Sequence, residues 1–272
     1  MTAQEKSLIY NLLNKSDCLF SGKILSDFEQ IDFKDDVEFS NAEQIKSQAN
    51  TENGTNNPAT NSKPYFKQSQ DIEQAALIKN IALSIAQCTS CVLCKTRINT
   101  VPGIGVASPL VLVIGEGPGA DEDKTGEPFV GKAGQLLDKM LAAIQLSRKD
   151  NCFITNIVKC RPPANRTPLP EEVQACAHFL KAQIDILKPK MILALGNTAL
   201  HNLLNTNAGI KKLHGKFFNY QNIPLLATFH PSALLRDESL KRPSWEDLKI
   251  FRNRLLEIVP NYQSSYLNGG ST

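Results

Sequence analysis

Residues Val111 to Gly134 read VLVIGEGPGADEDKTGEPFVGKAG: a strand, a glycine-rich loop and the opening of a helix. Leu110 to Ile114 is a short apolar run between Pro109 and Gly115, the composition of a strand buried on both faces of a parallel sheet. Gly115, Gly117 and Gly119 follow, with Pro118 among them. Glycine admits positive φ and close approach to the backbone, and proline stiffens the turn. Asp121, Glu122 and Asp123 come next, then Gly126 to Gly131, and the pattern predicts no helix before Lys132. A long loop at the carboxyl end of a core strand is where open α/β sheets hold their ligands. Gly115, Gly117 and Ala120 formally fit a dinucleotide fingerprint. That motif should open a helix directly, whereas eleven residues lie between Ala120 and Lys132. Three carboxylates at the loop's exit also repel a diphosphate.

Working outward, strands are expected at Cys152 to Val158, Met191 to Leu195 and Leu225 to Phe229. Helical stripes lie between them: Leu136, Leu137, Met140, Leu141 and Ile144, then Val173, Cys176, Ala177, Leu180, Ile184 and Leu187 behind Pro170. Asp71 reads as the N-cap of a helix to about Ala86, and Ser244 with Asp247 as a capping box for a last helix. Alternating strands and helices predict a three-layer αβα sandwich around a central four-stranded parallel sheet.

The charge is uneven. Residues 1–72 carry 7 Lys against 11 Asp/Glu, whereas residues 73–272 carry 23 Lys/Arg against 16 Asp/Glu. A basic second part suits a polyanionic partner. Residues 1–40 read as an N-terminal extension with some helical character, and 41–70, rich in Asn, Thr, Ser and Gln, as a low-complexity linker unable to bury a core. Residues 71–260 form the expected domain and 261–272 a tail. No apolar run is long enough to span a bilayer, and the N-terminus has neither a secretory nor an Arg-rich transit pattern, so a cytoplasmic location is expected. Seven cysteines without an export signal point to reduced thiols and a metal, not to disulfides.

Cys88 and Cys91 form a CxxC, Cys94 follows, and Cys160 and Cys176 lie further on, flanking a Pro/Arg-rich loop. Four thiolates suit either zinc or an iron–sulfur cluster, and spacing alone does not choose between them. Three strand ends present polar groups: Glu116, Asn156 and His230. With Phe129 from the loop, a carboxylate, an amide, an imidazole and an aromatic ring suit a planar heterocycle better than a phosphate. Taken singly, a strand-end Asn is an ordinary turn former, a lone His an ordinary structural residue and Phe129 ordinary core. Their coincidence on one rim makes a site.

Together GEGPGADEDKTGEPFVGKAG, TNIVKCRPPANRTP, LALGNTAL and HPSALLR, with the CxxC upstream, resemble the family-four uracil-DNA glycosylases, the iron–sulfur type of their superfamily. The resemblance covers roughly residues 75–260 and says nothing of the first 70. It implies a monofunctional hydrolase of base excision repair, a monomer that flips uracil from single- or double-stranded DNA and leaves an abasic site. It also implies one [4Fe–4S] cluster on Cys88, Cys91, Cys160 and Cys176, with Cys94 surplus. By motif, Phe129 stacks on uracil, Asn156 reads its edge and His230 faces the carbonyl that gains charge. Glu116 holds the acidic position, and Gly117 stands where better-known relatives place a water-activating Asp. Glu122 and Asp123 are the other carboxylates of the loop. For DNA, Leu234 or Leu235 is expected to wedge into the stack, and Lys159, Arg161, Ser232 and Arg236 to meet the backbone. Two other classes are a metal-stabilised DNA-binding module without catalysis and a radical iron–sulfur enzyme. The latter commonly uses CxxxCxxC, whereas Cys88 to Cys94 is CxxCxxC.

Overall fold

The computed structural model describes residues 64–262, with side chains from Asp71 onward. The N-terminal extension, most of the low-complexity stretch and nearly all of the expected tail lie outside these residues.

Within them, a six-stranded sheet has the order β1-β3-β2-β4-β6-β5, with β1 Ile104–Gly105, β2 Val111–Gly115, β3 Cys152–Asn156, β4 Met191–Leu195, β5 Phe217–Tyr220 and β6 Ile223–Thr228. The four expected strands form its parallel centre, and β1 and β5 add antiparallel edges. The expected count of four is therefore corrected to six. β1 is two residues long, and β5 is half-exposed and returns through Gln221 and Asn222, both at positive φ, so neither has the apolar run of a core strand.

β2 alternates its side chains between two cores. Leu112 and Ile114 face one with Ile85, Leu180, Ile184 and Leu200; Val111 and Val113 face the other with Leu137, Leu141, Phe251 and Leu255. The first layer contains α1 (Pro64–Ala86), α4 (Pro170–Leu187) and α5 (Gly196–Leu204), and the second contains α3 (Lys132–Ala142) and α8 (Lys241–Ile258). Short helices α2 (Ala120–Thr125), α6 (Ile210–Leu213) and α7 (Pro231–Arg236) occupy loops after strands. The three layers are as expected.

Three local expectations are corrected. α1 begins at Pro64, where proline suits a first turn, and Asp71 is a mid-helix residue accepting from the Ser108 hydroxyl. α8 begins at Lys241, so Ser244 and Asp247 are inside it, buried against Thr228. The loop after β2 does open a helix directly, α2, capped at Gly119. Glu122 still excludes a dinucleotide, because its carboxylate accepts from Gly119 N where a phosphate would sit.

Candidate active site and cysteine cavity

Parallel strands align their carboxyl ends, and β2, β3, β4 and β6 open onto one cleft of about 800 Å³ lined by Glu116, Asn156, Asn197 and His230 with the loop residue Phe129. Gly115 pairs in register with Asn156. Any side chain at Gly115 would meet Asn156 Oδ1 and the Phe129 ring, each 2.5 Å from an added Cβ. Of the two properties the sequence offered, positive φ and close approach, Gly115 uses the second.

Phe129 is held in an unusual backbone conformation, φ 56°. Glu122 accepts from Val130 N at 2.9 Å and Gly131 N at 3.0 Å with one oxygen, and from Gly119 N with the other. Arg148 donates to the Pro128 and Phe129 carbonyls at 2.8 and 3.0 Å and is itself fixed by Asp138. Gly134 lets this strained turn pack on α3, since a Cβ there would lie 1.8 Å from the Phe129 carbonyl oxygen. The ring thus stands at a fixed angle, its centroid 5.6 Å from that of His230. Glu122 is committed to shaping the loop. Asp123 is buried and accepts from Ile98 N and Asn99 N.

The carboxylate left inside the cleft beside the strand ends is Glu116, which accepts from the Thr198 hydroxyl through Oε2. Asp121 is exposed on the rim. Thr198 and Asn197 were missed in the sequence; LALGNTAL carried the signal, as polar residues after a core strand.

His230 N-caps α7, and its Nδ1 accepts from Ser232 N at 3.2 Å. A backbone N–H can only donate, so Nδ1 is the bare nitrogen and Nε2 carries the proton. Burial, with the Arg236 charge nearby, pushes the His230 pKa down to about 4 against an opposing pull from Glu122. The ring is a neutral N–H donor at ordinary pH. Asn156 is fully buried, and its Oδ1 is the one buried side-chain oxygen or nitrogen without a partner among the described residues. An orphaned acceptor in a cleft beside an aromatic ring asks for a ligand N–H.

Of the residues expected at DNA, Arg161 and Arg236 are partly or fully exposed, the former held by Asn165 Oδ1 at 2.8 Å. Two are corrected by burial. Lys159 is 1% exposed and bonded internally. Leu234 is 2% exposed in the core, whereas Leu235 is 48% exposed. Ser232 lines the cleft, but its hydroxyl and N–H both meet His230 Nδ1. Arg166, which the sequence did not single out, also lines the cleft and makes a two-pronged pair with buried Glu172, fixing the loop between Cys160 and Cys176.

A second, small cavity is lined by Cys88, Cys91, Cys94, Cys160 and Cys176, with Ile85, Phe179, Arg97 and Lys159. Arg97 donates to Cys160 Sγ at 3.2 Å. Burial raises the Cys91 and Cys160 pKa values and pushes Cys176 up to about 11. Among the described residues no group of three ligating side chains closes on a single ion. Cys152 is buried in β3 and does not line the cavity.

The profile of the Uracil DNA glycosylase superfamily matches residues 102–249. The chain belongs to that superfamily. A Type-4 uracil-DNA glycosylase of Thermotoga maritima is 45% identical over 177 residues, 64% of this chain and 92% of the relative. That of Sulfurisphaera tokodaii is 39% identical over 202 residues, 71% and 91%. A Type-5 uracil-DNA glycosylase of Pyrobaculum aerophilum is 35% identical over 152 residues, 49% of this chain and 66% of the relative. The superfamily match spans all four strand ends of the cleft but begins beyond Cys88, Cys91 and Cys94.

Proposed function

We propose that the protein is a monofunctional uracil-DNA glycosylase, which takes uracil out of the stack and hydrolyses its N-glycosidic bond to leave an abasic site. The observation that carries this reading is the unpartnered Asn156 Oδ1 in the cleft beside Phe129. Uracil offers N3–H to that oxygen and O4 to the Asn156 amide N–H. Cytosine presents an acceptor and a donor at those two atoms, so both Asn156 groups would be buried unpaired. Phe129 stacks on the base and is held rigid by Glu122 and Arg148.

Bond cleavage leaves an anionic base and a cation-like sugar. His230 Nε2–H donates to the uracil oxygen that gains charge, and a neutral donor suits an oxyanion without giving up its proton. Glu116, with Oε2 bonded by Thr198, offers its other oxygen to the sugar cation and to the attacking water. Arg161, Arg166 and Arg236 meet phosphates, and Leu235 replaces the flipped base in the stack.

The cysteine cavity fits an iron–sulfur cluster: its donors are thiols, five share one cavity, and Arg97 adds positive charge beside Cys160. Cys88, Cys91, Cys160 and Cys176 would hold a [4Fe–4S] group, with Cys94 a fifth thiol at its edge. Such a group ties α1, α4 and the 160–176 loop together and supplies structure, not electron transfer. The protein acts as a monomer through residues 71–260, so removing residues 1–63 leaves excision unchanged.

The test is incubation of the purified protein with a uracil-containing oligonucleotide, without added cofactor, followed by alkaline cleavage of abasic sites. Strand scission at uracil and none at a matched cytosine is expected. Intact strands from a folded, iron-loaded protein refute the reading.

A further inference from the structure

A fully buried lysine between the cleft and the cysteine cavity is unexplained by binding or bond cleavage. The Lys159 ammonium donates to Thr155 Oγ1 at 2.6 Å, to the Asn156 backbone oxygen at 2.7 Å and to Gln183 Oε1 at 2.8 Å. An ammonium has three N–H donors, and three internal oxygens use them all. Two acceptors belong to the end of β3, one of them the backbone oxygen of the very residue whose side chain carries the orphaned oxygen. The third is on α4, two turns beyond Cys176. Gln183 in turn donates to the Pro102 carbonyl at 2.6 Å, and the Thr155 hydroxyl reaches the same carbonyl at 3.1 Å.

Only three residues separate Asn156 from Cys160, and Lys159 also lines the cysteine cavity. Its side chain folds back over the turn that joins recognition residue to cysteine. It pins that turn to the helix carrying Cys176. A buried polar group is costly unless it is hydrogen-bonded, and here every donor is.

We propose that Lys159 is a positioning residue: it fixes Asn156 for uracil through the backbone and ties that turn to the helix carrying Cys176. The proposal rests on the reading of Asn156 as the uracil acceptor. It makes the two sites mechanically one, since a single ammonium holds the elements that bear both.

The experiment compares full-length, iron-loaded wild type, Lys159→Met, Lys159→Met/Gln183→Leu and Asn156→Ala. Single-turnover excision, inhibition by free uracil, affinity for abasic-site DNA, thermal stability and iron release to a chelator are measured. Lys159→Met should excise uracil on the order of tenfold to hundredfold more slowly, the cost of a small misplacement. Abasic-site affinity should stay unchanged. Free uracil should inhibit it on the order of tenfold more weakly, and iron should leave faster. The double variant removes the Gln183 acceptor along with the charge, so it should regain stability without regaining rate. Should Lys159→Met fail to fold, Lys159→Gln keeps a donor without the charge and enters the same comparison.

Excision that returns together with stability would reduce Lys159 to a structural residue and overturn the proposal. So would slow excision with unchanged uracil inhibition, or unchanged iron release. Wild-type rates in Lys159→Met with slow Asn156→Ala overturn the proposal but leave the uracil reading standing. Wild-type rates in Asn156→Ala overturn that reading itself.

Discussion

The base cleft and the cysteine cavity are joined by the turn from Asn156 to Cys160 and are built by opposite means. The cleft is framed by strand ends and tied by backbone hydrogen bonds: Glu122 on three amides, Arg148 on two carbonyls, Ser232 N on His230. Its functional groups are therefore fixed before any ligand arrives, which is the condition for electrostatic stabilisation of a transition state. The cysteine cavity is framed by side chains from segments distant in sequence, the end of α1, the turn after β3 and the middle of α4. Among the described residues, only Arg97 bonds one of its sulfurs with a charged group. A site of that kind needs its occupant to hold its walls together. The first site is preorganised by its own backbone, whereas under the proposed reading the second would take its order from a metal group.

The sharpest way to break this contrast is to remove one group from the cleft. His230→Ala should slow single-turnover excision by about 10²–10³-fold, the scale of one lost oxyanion donor, with abasic-site binding almost unchanged. A rate near wild type would remove His230 from the chemistry.

In the cavity, Cys160→Ala should lose iron and cost on the order of several kcal/mol of stability, because it unties the loop as well as a ligand. Cys94→Ala should keep iron and stability. Iron and sulfide assay with thermal melting separates the two, and equal losses would make Cys94 a ligand. A smaller effect is expected at Arg148→Ala, which removes two charged hydrogen bonds, each about 1.5–3 kcal/mol, from the Phe129 turn. Excision should fall on the order of tenfold, with iron content untouched. Lost iron in that variant would show that the cleft and cavity are not separately built at this end.

The smallest expected change is with pH. The folded His230 pKa is about 4, below the ordinary 6.5, so the neutral donor is present throughout the neutral range. Its contribution to excision should be flat from neutral pH downward until the approach to about 4. The same shift makes the fold lose stability as pH falls from about 6.5 toward 4, because the unfolded imidazole takes up its proton first. A wild-type rate profile that breaks near 6.5 and flattens in His230→Ala would contradict the buried, neutral assignment.

The central strands, the flanking helices and the residues of the cleft were legible because their signals are local. Leu110 to Ile114 is apolar at every position, and Glu116, Asn156 and His230 follow strands whose composition marks them as core. A parallel register then places those residues on one rim without further information. The CxxC and its distant partners were legible for the same reason, as a pattern of residue types.

Neighbours in space decided the rest. Leu234 and Leu235 are adjacent and chemically identical, and only the rotation of a six-residue helix buries one and exposes the other. Lys159, in a Lys–Cys–Arg run, reads as a surface cation. It is buried because Thr155, Asn156 and, from another element, Gln183 place three oxygens around its ammonium. Glu122 reads as an active-site carboxylate until the loop brings the amides of Gly119, Val130 and Gly131 to it. The sequence by itself determined which chemical groups the protein carries and at which strand ends. Tertiary structure alone decided which of those groups remain free to act, because a polar side chain is freed or committed by partners far away in the chain.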